Sequence, residues 1–186
     1  MFWIFAGLII VIGAAALYLW MGGRNEKAGP TMYPGMASLK IHDKVSYLGE
    51  VYDVQAILVL NEGGCRWREL LLVSDERKLW LRIESAGPLR LTLLNMAEKA
   101  LVEGSPPANI VQQDITYRLE EQGTAYLTRY GEIDGVQSGD RLDYFHYLAG
   151  KGNRLSIERI ENGPYFWRFG REITMEDIDT ERDQGE

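Results

Sequence analysis

One cysteine and two histidines are all that this chain holds of the residues that staple or metallate small folds. Cys65 alone cannot close an intramolecular disulfide, which fits a reducing compartment. A zinc site draws on several Cys and His ligands, and Cys65, His42 and His146 stand far apart in sequence, so neither a metal nor a cofactor is expected. Cys65 follows a Gly-rich turn with Arg66 and Arg68 beside it, but no histidine is near to act as its base, and an activated thiol is not expected. Net basic charge is absent too. The formal net charge is −7, and Glu172 to Glu186 hold seven acids against one arginine, so the rest of the chain is close to neutral. Nucleic-acid binders carry a basic footprint, which removes nucleic acid as a partner. There is no Gly-x-Ser-x-Gly nucleophile elbow. There is no phosphate-cradling loop either, because Gly63-Gly64 serves a hairpin turn. With no catalytic motif, the chain is not expected to be an enzyme.

Charge is also missing from the stretch between Phe2 and Trp20, FWIFAGLIIVIGAAALYLW. Its length suits a helix crossing a hydrocarbon core of roughly 30 Å. Trp3 at one end, and Tyr18 and Trp20 at the other, would sit in the two interfaces. A cleaved signal peptide fits less well: no basic residue precedes the run, it is long for a signal core, and no small-x-small cleavage site follows. Arg24 and Lys27 lie just behind the span. Positive charge stays in the cytoplasm, so the expected orientation is amino terminus out and domain in, at the inner membrane.

Behind the span, the glycines and prolines of 22–38 read as a flexible linker. The core stretch, 45–84, reads as four strands over 44–48, 51–60, 66–73 and 79–84, with Asn61-Glu62-Gly63-Gly64 as a hairpin signal. In the third, alternation places Trp67, Glu69, Leu71 and Val73 on one face. Leu89, Leu91 and Leu93 suggest another strand, and 95–103 a short helix ended by Gly104. Pro106 and Pro107 stop any helix there. Further strands are expected over 115–119, 124–130, 141–148, 155–160 and 165–169, with Gly123 and Gly170 as breaks. Thr174 with Asp177 could cap a brief helix before a mobile tail. Gly49 and Glu84 are 35 positions apart, as are Gly123 and Glu158, which raises an internal duplication.

These residues carry a likeness. His42-Asp43-Lys44-Val45, Trp67-Arg68-Glu69-Leu70-Leu71-Leu72 and Trp80-Leu81 leading to Glu84 resemble the first half of the bacterial domain-of-unknown-function family 4178. Its pattern has a Gly-Asp-x-Val opening, a Trp-x-Glu-x-x-Leu strand and a Trp-Leu strand. Its second half has a Gly-x-Ala, a tyrosine-rich strand, a Leu-Ser-x-Glu and a late Gly. Here these are Gly123-Thr124-Ala125, Tyr144 to Tyr147, Leu155-Ser156-Ile157-Glu158 and Gly170. The departure is His42, where the family usually has Gly. The resemblance implies no activity, ligand or catalytic residue. It does imply an envelope-associated role, since family members occur beside membrane-stress scaffold proteins of the phage-shock type and small polytopic membrane proteins.

The residues that could bind something are Trp67, Glu69, Trp80, Glu84 and Glu158. A carboxylate among apolar strand neighbours must be paired or hydrogen-bonded. For Glu69 the plain reading is an ion pair with Arg66, Arg68, Arg82 or Arg154; the functional one is an acid pair lining a ligand cleft. His146, alternating with Tyr144 and Leu148, reads as a packing residue. The aromatics Trp67, Trp80, Tyr144, Tyr147, Tyr165, Phe166 and Trp167 are core or, if exposed together, a partner surface.

The expected architecture is mainly β: two similar antiparallel β-sheet or half-barrel units packed together, behind one N-terminal transmembrane helix. Its bounds are 1–21 for the helix, 22–38 for the linker, 39–173 for the domain (halves 39–94 and 114–173) and 174–186 for the tail. The expected function is interaction or scaffolding at the inner membrane, with the lipid bilayer and membrane-stress proteins as partners. The alternative is a small-ligand sensor with a cleft between the halves. A deep polar cleft holding Glu69 or Glu84 would favour the sensor, and a flat aromatic patch the scaffold.

Overall fold

The computed structural model of the chain describes residues 34–97 and 104–181. The expected span over 2–20 and most of the linker lie outside them, as do 98–103 and 182–186. Among the described residues no helix is long and apolar enough to cross a membrane. The elements are α1 (Pro34–Ala37), β1 (Lys44–Tyr47), β2 (Glu50–Glu62), β3 (Cys65–Val73), β4 (Lys78–Glu84), β5 (Arg90–Met96), β6 (Asn109–Gln112), β7 (Ile115–Gly131), β8 (Arg141–Leu148), β9 (Asn153–Ile160), β10 (Phe166–Ile173) and β11 (Ile178–Glu181).

Eight of these strands close an antiparallel barrel in the order β2-β3-β4-β5-β10-β9-β8-β7, and β7 returns to β2. β2 and β7 are long because each divides one edge between two partners. Glu50 to Asp53 pair with β1, and Ala56 to Asn61 with β7. β7 pairs first with β6 and later with β2. A bulge on β2 next to Val54 and another on β7 next to Leu119 bend both strands where they change partners. β1 and β11 extend the sheet at one free edge and β6 at the other.

Alternation along the strands separates two sets of side chains. One set meets across the barrel: Trp67 on β3 lies edge-on to Tyr144 on β8, and Arg82 on β4 reaches Glu158 on β9, so this set faces inward. The other faces outward and is covered. Leu70, Leu72, Leu81 and Ile83 pack beneath Met36, Leu39, Val45 and Ile178, contributed by α1, β1, β11 and the loop after α1. Tyr147, Leu155, Ile157 and Trp167 pack against Ile110 of β6 and Ala149. Hydrocarbon therefore lies mainly outside the barrel wall, under flanking strands.

Several expectations need correction. The two packed units are instead one closed sheet, because β2–β7 and β5–β10 pair edge to edge. Each half does run a two-residue hairpin followed by a meander. Yet Gly49 lies with Leu48 in the first hairpin's turn, whose counterpart is Gln113-Asp114, all four with positive φ, whereas Gly123 sits mid-strand. The equal spacing thus joins unlike places. Gly123 does not break β7. It leaves room there, since a Cβ would lie 2.3 Å from the Glu62 carboxylate and 2.8 Å from the Tyr144 hydroxyl. Gly170 does not end β10 either: a Cβ would meet the Leu93 carbonyl oxygen at 1.8 Å. The strand expected to end near Leu93 runs on to Met96, where a helix was expected to begin. Order also reaches further than the domain bounds. Arg68 donates to the carbonyls of Ala37 and Leu39 at 2.5 Å each, pinning the end of the linker. Beyond the Thr174–Asp177 cap, β11 pairs with β1 inside the stretch expected to be mobile. His42, where the resembled pattern has Gly, holds φ +73°, a conformation that costs a side-chain-bearing residue more than glycine.

Candidate functional site

Pairs two residues apart on a strand share a face. Trp67 and Glu69, Gly123 and Ala125, and Ser156 and Glu158 are such pairs, and the barrel turns all three inward. At the centre of the barrel two carboxylates and two guanidiniums close a ring. Arg82 donates from Nε to Glu69 at 2.8 Å and from Nη2 to Glu158 at 2.7 Å. Arg168 donates from Nη2 to the other oxygen of Glu69 at 2.8 Å and also to Glu158. The Ser156 hydroxyl accepts from Arg82 at 2.9 Å. All four charged side chains are at most 5% exposed.

Such a ring is stable only when complete. Each ion taken from water has a desolvation cost of several kcal/mol, which its partners offset through short contacts in a low dielectric. Burial pushes the Glu158 carboxyl upward in pKa. The Arg168 charge, the nearby His146 ring and the Arg82 charge outweigh that and hold it well below the usual carboxylate range. Burial likewise works against the charge of Arg168, and Glu158 and Glu69 reverse it, raising its pKa.

Around the ring the inward face differs end to end. At one end His146 lies 3.8 Å from Glu158 through Nε2 and 3.8 Å from the exposed Glu121 through Nδ1. Arg154 pairs with Glu120 and Glu172, and Arg90 with Glu84 at 3.3 Å. The bulge beside Leu119 lets the successive residues Glu120 and Glu121 both reach this end. Toward the same end the Tyr144 hydroxyl donates to Glu62, and burial followed by Glu62 raises its pKa.

At the other end the barrel opens. A cavity of about 770 Å³ lies under the loops joining β7 to β8 and β9 to β10. Its floor is Glu69, Glu158 and Arg168, and its walls are Leu58, Trp80, Ile133, Val136, Ile160 and Phe166. The Arg168 guanidinium stands 4.9 Å from the centre of the Trp80 ring and 5.5 Å from that of Phe166. Its Nε is buried without a hydrogen-bond partner. A cavity of this size, apolar with a few polar groups converging at its base, has the form of a small-molecule site.

The structure brings Glu69, Trp80 and Glu158 together at this cavity. Trp67 lies inside the barrel against Tyr144 and His146 but does not line the cavity. Glu84 stands apart, half-buried with Arg90 at the opposite end. Arg82 is one of the four partners expected for Glu69. Arg168 and Ser156 are not among the expected site residues. Arg168 left a signal: an arginine inside an aromatic strand raises the same pairing question as Glu69.

A family model described as "Domain of unknown function (DUF4178)" matches residues 40–175. No curated protein and no solved structure matches the chain.

Proposed function

The chain belongs to the DUF4178 family, and on that premise we propose that its barrel is a small-ligand-binding module. The cavity over the Glu69–Glu158–Arg168 floor carries this reading, since a deep cleft with Glu69 at its base favours a sensor over a scaffold. The aromatics support it too. Trp67, Trp80, Tyr144 and Phe166 pack into the barrel interior, and among the described residues Tyr126 and Tyr130 are the strongly exposed ones. Ligand identity would be reported through the two loops, which the ligand contacts as it enters.

The module is held at the membrane by the apolar stretch 2–20 and faces the cytoplasm, as Arg24 and Lys27 indicate. Alkaline washing should leave the protein with the membrane, and a reporter active only outside the cytoplasm, fused after Glu186, should stay silent. For the binding function, small-molecule mass spectrometry on purified full-length protein should find a compound retained by the wild type and lost from Ile133→Trp, which fills the cavity from its loop. An empty wild type, giving the same extracts as a correctly melting Ile133→Trp variant, would remove the ligand reading. Capture of a membrane protein at unit stoichiometry would then favour the scaffold.

A further inference from the structure

We propose that the cavity selects an amphipathic organic cation: an amine or quaternary ammonium on an apolar body, with a neutral hydrogen-bond acceptor toward the floor. This deepens the ligand-binding reading and rests on it. The ionisable lining consists of Glu69, Asp134, Asp140, Glu158, Glu161 and one cation, Arg168. Glu69 and Glu158 are balanced by Arg82 and Arg168 within the ring, so the floor is neutral. The three rim acids are not balanced. Asp140 and Glu161 accept backbone N–H groups of Gln137 and Arg141, which fix their positions at 2.7 Å each. Among the described residues none of Asp134, Asp140 and Glu161 enters an ion pair. Arg129, under the same loop, gives its guanidinium to the Ile133 carbonyl at 3.4 Å.

The mouth therefore has three acids without an ion pair above apolar walls, and its charge stays net negative even with Arg129 under the same loop. A ligand anion would meet like charge at the rim and find no spare positive charge at the floor, because Arg168 is matched by its own partners. A cation gains at the rim, and the walls take its apolar body. The unpartnered Arg168 Nε–H, in a residue 1% exposed, adds a donor at the floor. It calls for a neutral acceptor such as a carbonyl or ether oxygen, which completes its bonding without disturbing the ring's charge balance.

Three probes with one benzyl body and a carbonyl test the charge class: phenylalaninamide (cation), N-acetylphenylalaninamide (neutral) and N-acetylphenylalanine (anion). Titrated into full-length protein and followed by calorimetry, the cation should bind at least tenfold more tightly than the neutral amide, with the anion weakest. Asp134→Asn, Asp140→Asn and Glu161→Gln together should cut that preference to about twofold or less, while unchanged thermal melts show the fold intact. Raising salt should weaken the cation alone. If the anion or neutral probe binds as well as the cation, and Ile133→Trp abolishes that binding, the charge class is wrong and the cavity reading survives. If no probe saturates, or Ile133→Trp leaves binding unchanged, both fall.

Discussion

On the outward side of β4, Leu79, Leu81 and Ile83 lie in hydrocarbon, each at most 2% exposed. On the inward side of the same strand, Arg82 faces two carboxylates and Trp80 lines a cavity. Small barrels usually fill their interior with apolar side chains. Here flanking strands cover the outer wall, so the fold draws much of its hydrophobic stabilisation from outside the barrel. The interior keeps an apolar cluster around Leu58, Leu60, Leu127 and Leu142 and also accommodates the charged ring. A ring of buried ions is weak grounds for stability, since apolar residues of the same volume often do as well or better. Its presence in a barrel already stabilised from outside argues that it serves the cavity above it.

The sharpest way to break the contrast is to remove one ion from the ring. Glu158→Ala leaves two buried guanidiniums sharing one carboxylate and should cost about 3–5 kcal/mol, measured by chemical denaturation of the full-length protein. The same group gives a pH signature. Its folded pKa is depressed below the ordinary 4.5, so its stabilisation is fully present above that value and is lost as pH falls below it toward the folded pKa. Thermal melts from pH 7 to pH 3 should fall steeply for the wild type and less for Glu158→Gln.

The outer layer comes next. Leu81→Ala opens a cavity in the covered hydrocarbon and should cost about 3 kcal/mol, with no effect of pH on the difference. Ligand retention should persist in whatever fraction stays folded.

Smaller, and of opposite sign, is replacement of the whole ring. Glu69→Leu, Arg82→Met, Glu158→Leu and Arg168→Met together should be neutral or stabilising by about 1–4 kcal/mol, yet lose the retained compound. A quadruple variant destabilised like Glu158→Ala would show that the ring is structural, and the contrast between the two faces would lose its functional meaning.

The smallest effect is at the far end. Glu84 and Arg90 are both partly solvated, and Glu84→Gln should cost under about 1 kcal/mol and shrink further in salt. A larger loss would place Glu84 with the ring rather than with the surface pairs.

Much of this molecule was written locally. Alternation in β3, β4, β8 and β9 marked strands and faces, since side chains on a strand change sides at every residue and no distant contact is needed to know it. The pairs Trp67 and Glu69, and Ser156 and Glu158, were therefore already on common faces, and a carboxylate among apolar neighbours already demanded a partner. The sequence alone determined the mainly β class, the positions of most strands to within a few residues and the need for a buried counter-charge. It could not say which way each face turns, because the outward face of a covered barrel is as apolar as a core. β6 and β11 escaped notice because four-residue strands have too few alternations to stand out, and their stability comes from partners distant in sequence. Whether the sheet closes depended on β2 meeting β7 and β5 meeting β10, edge pairings that backbone groups make with little regard to side chain. Closure set Arg168 against Glu69, 99 residues away, and left the cavity above them. Those contacts follow from closure, which joins residues too distant in sequence for any local pattern to pair.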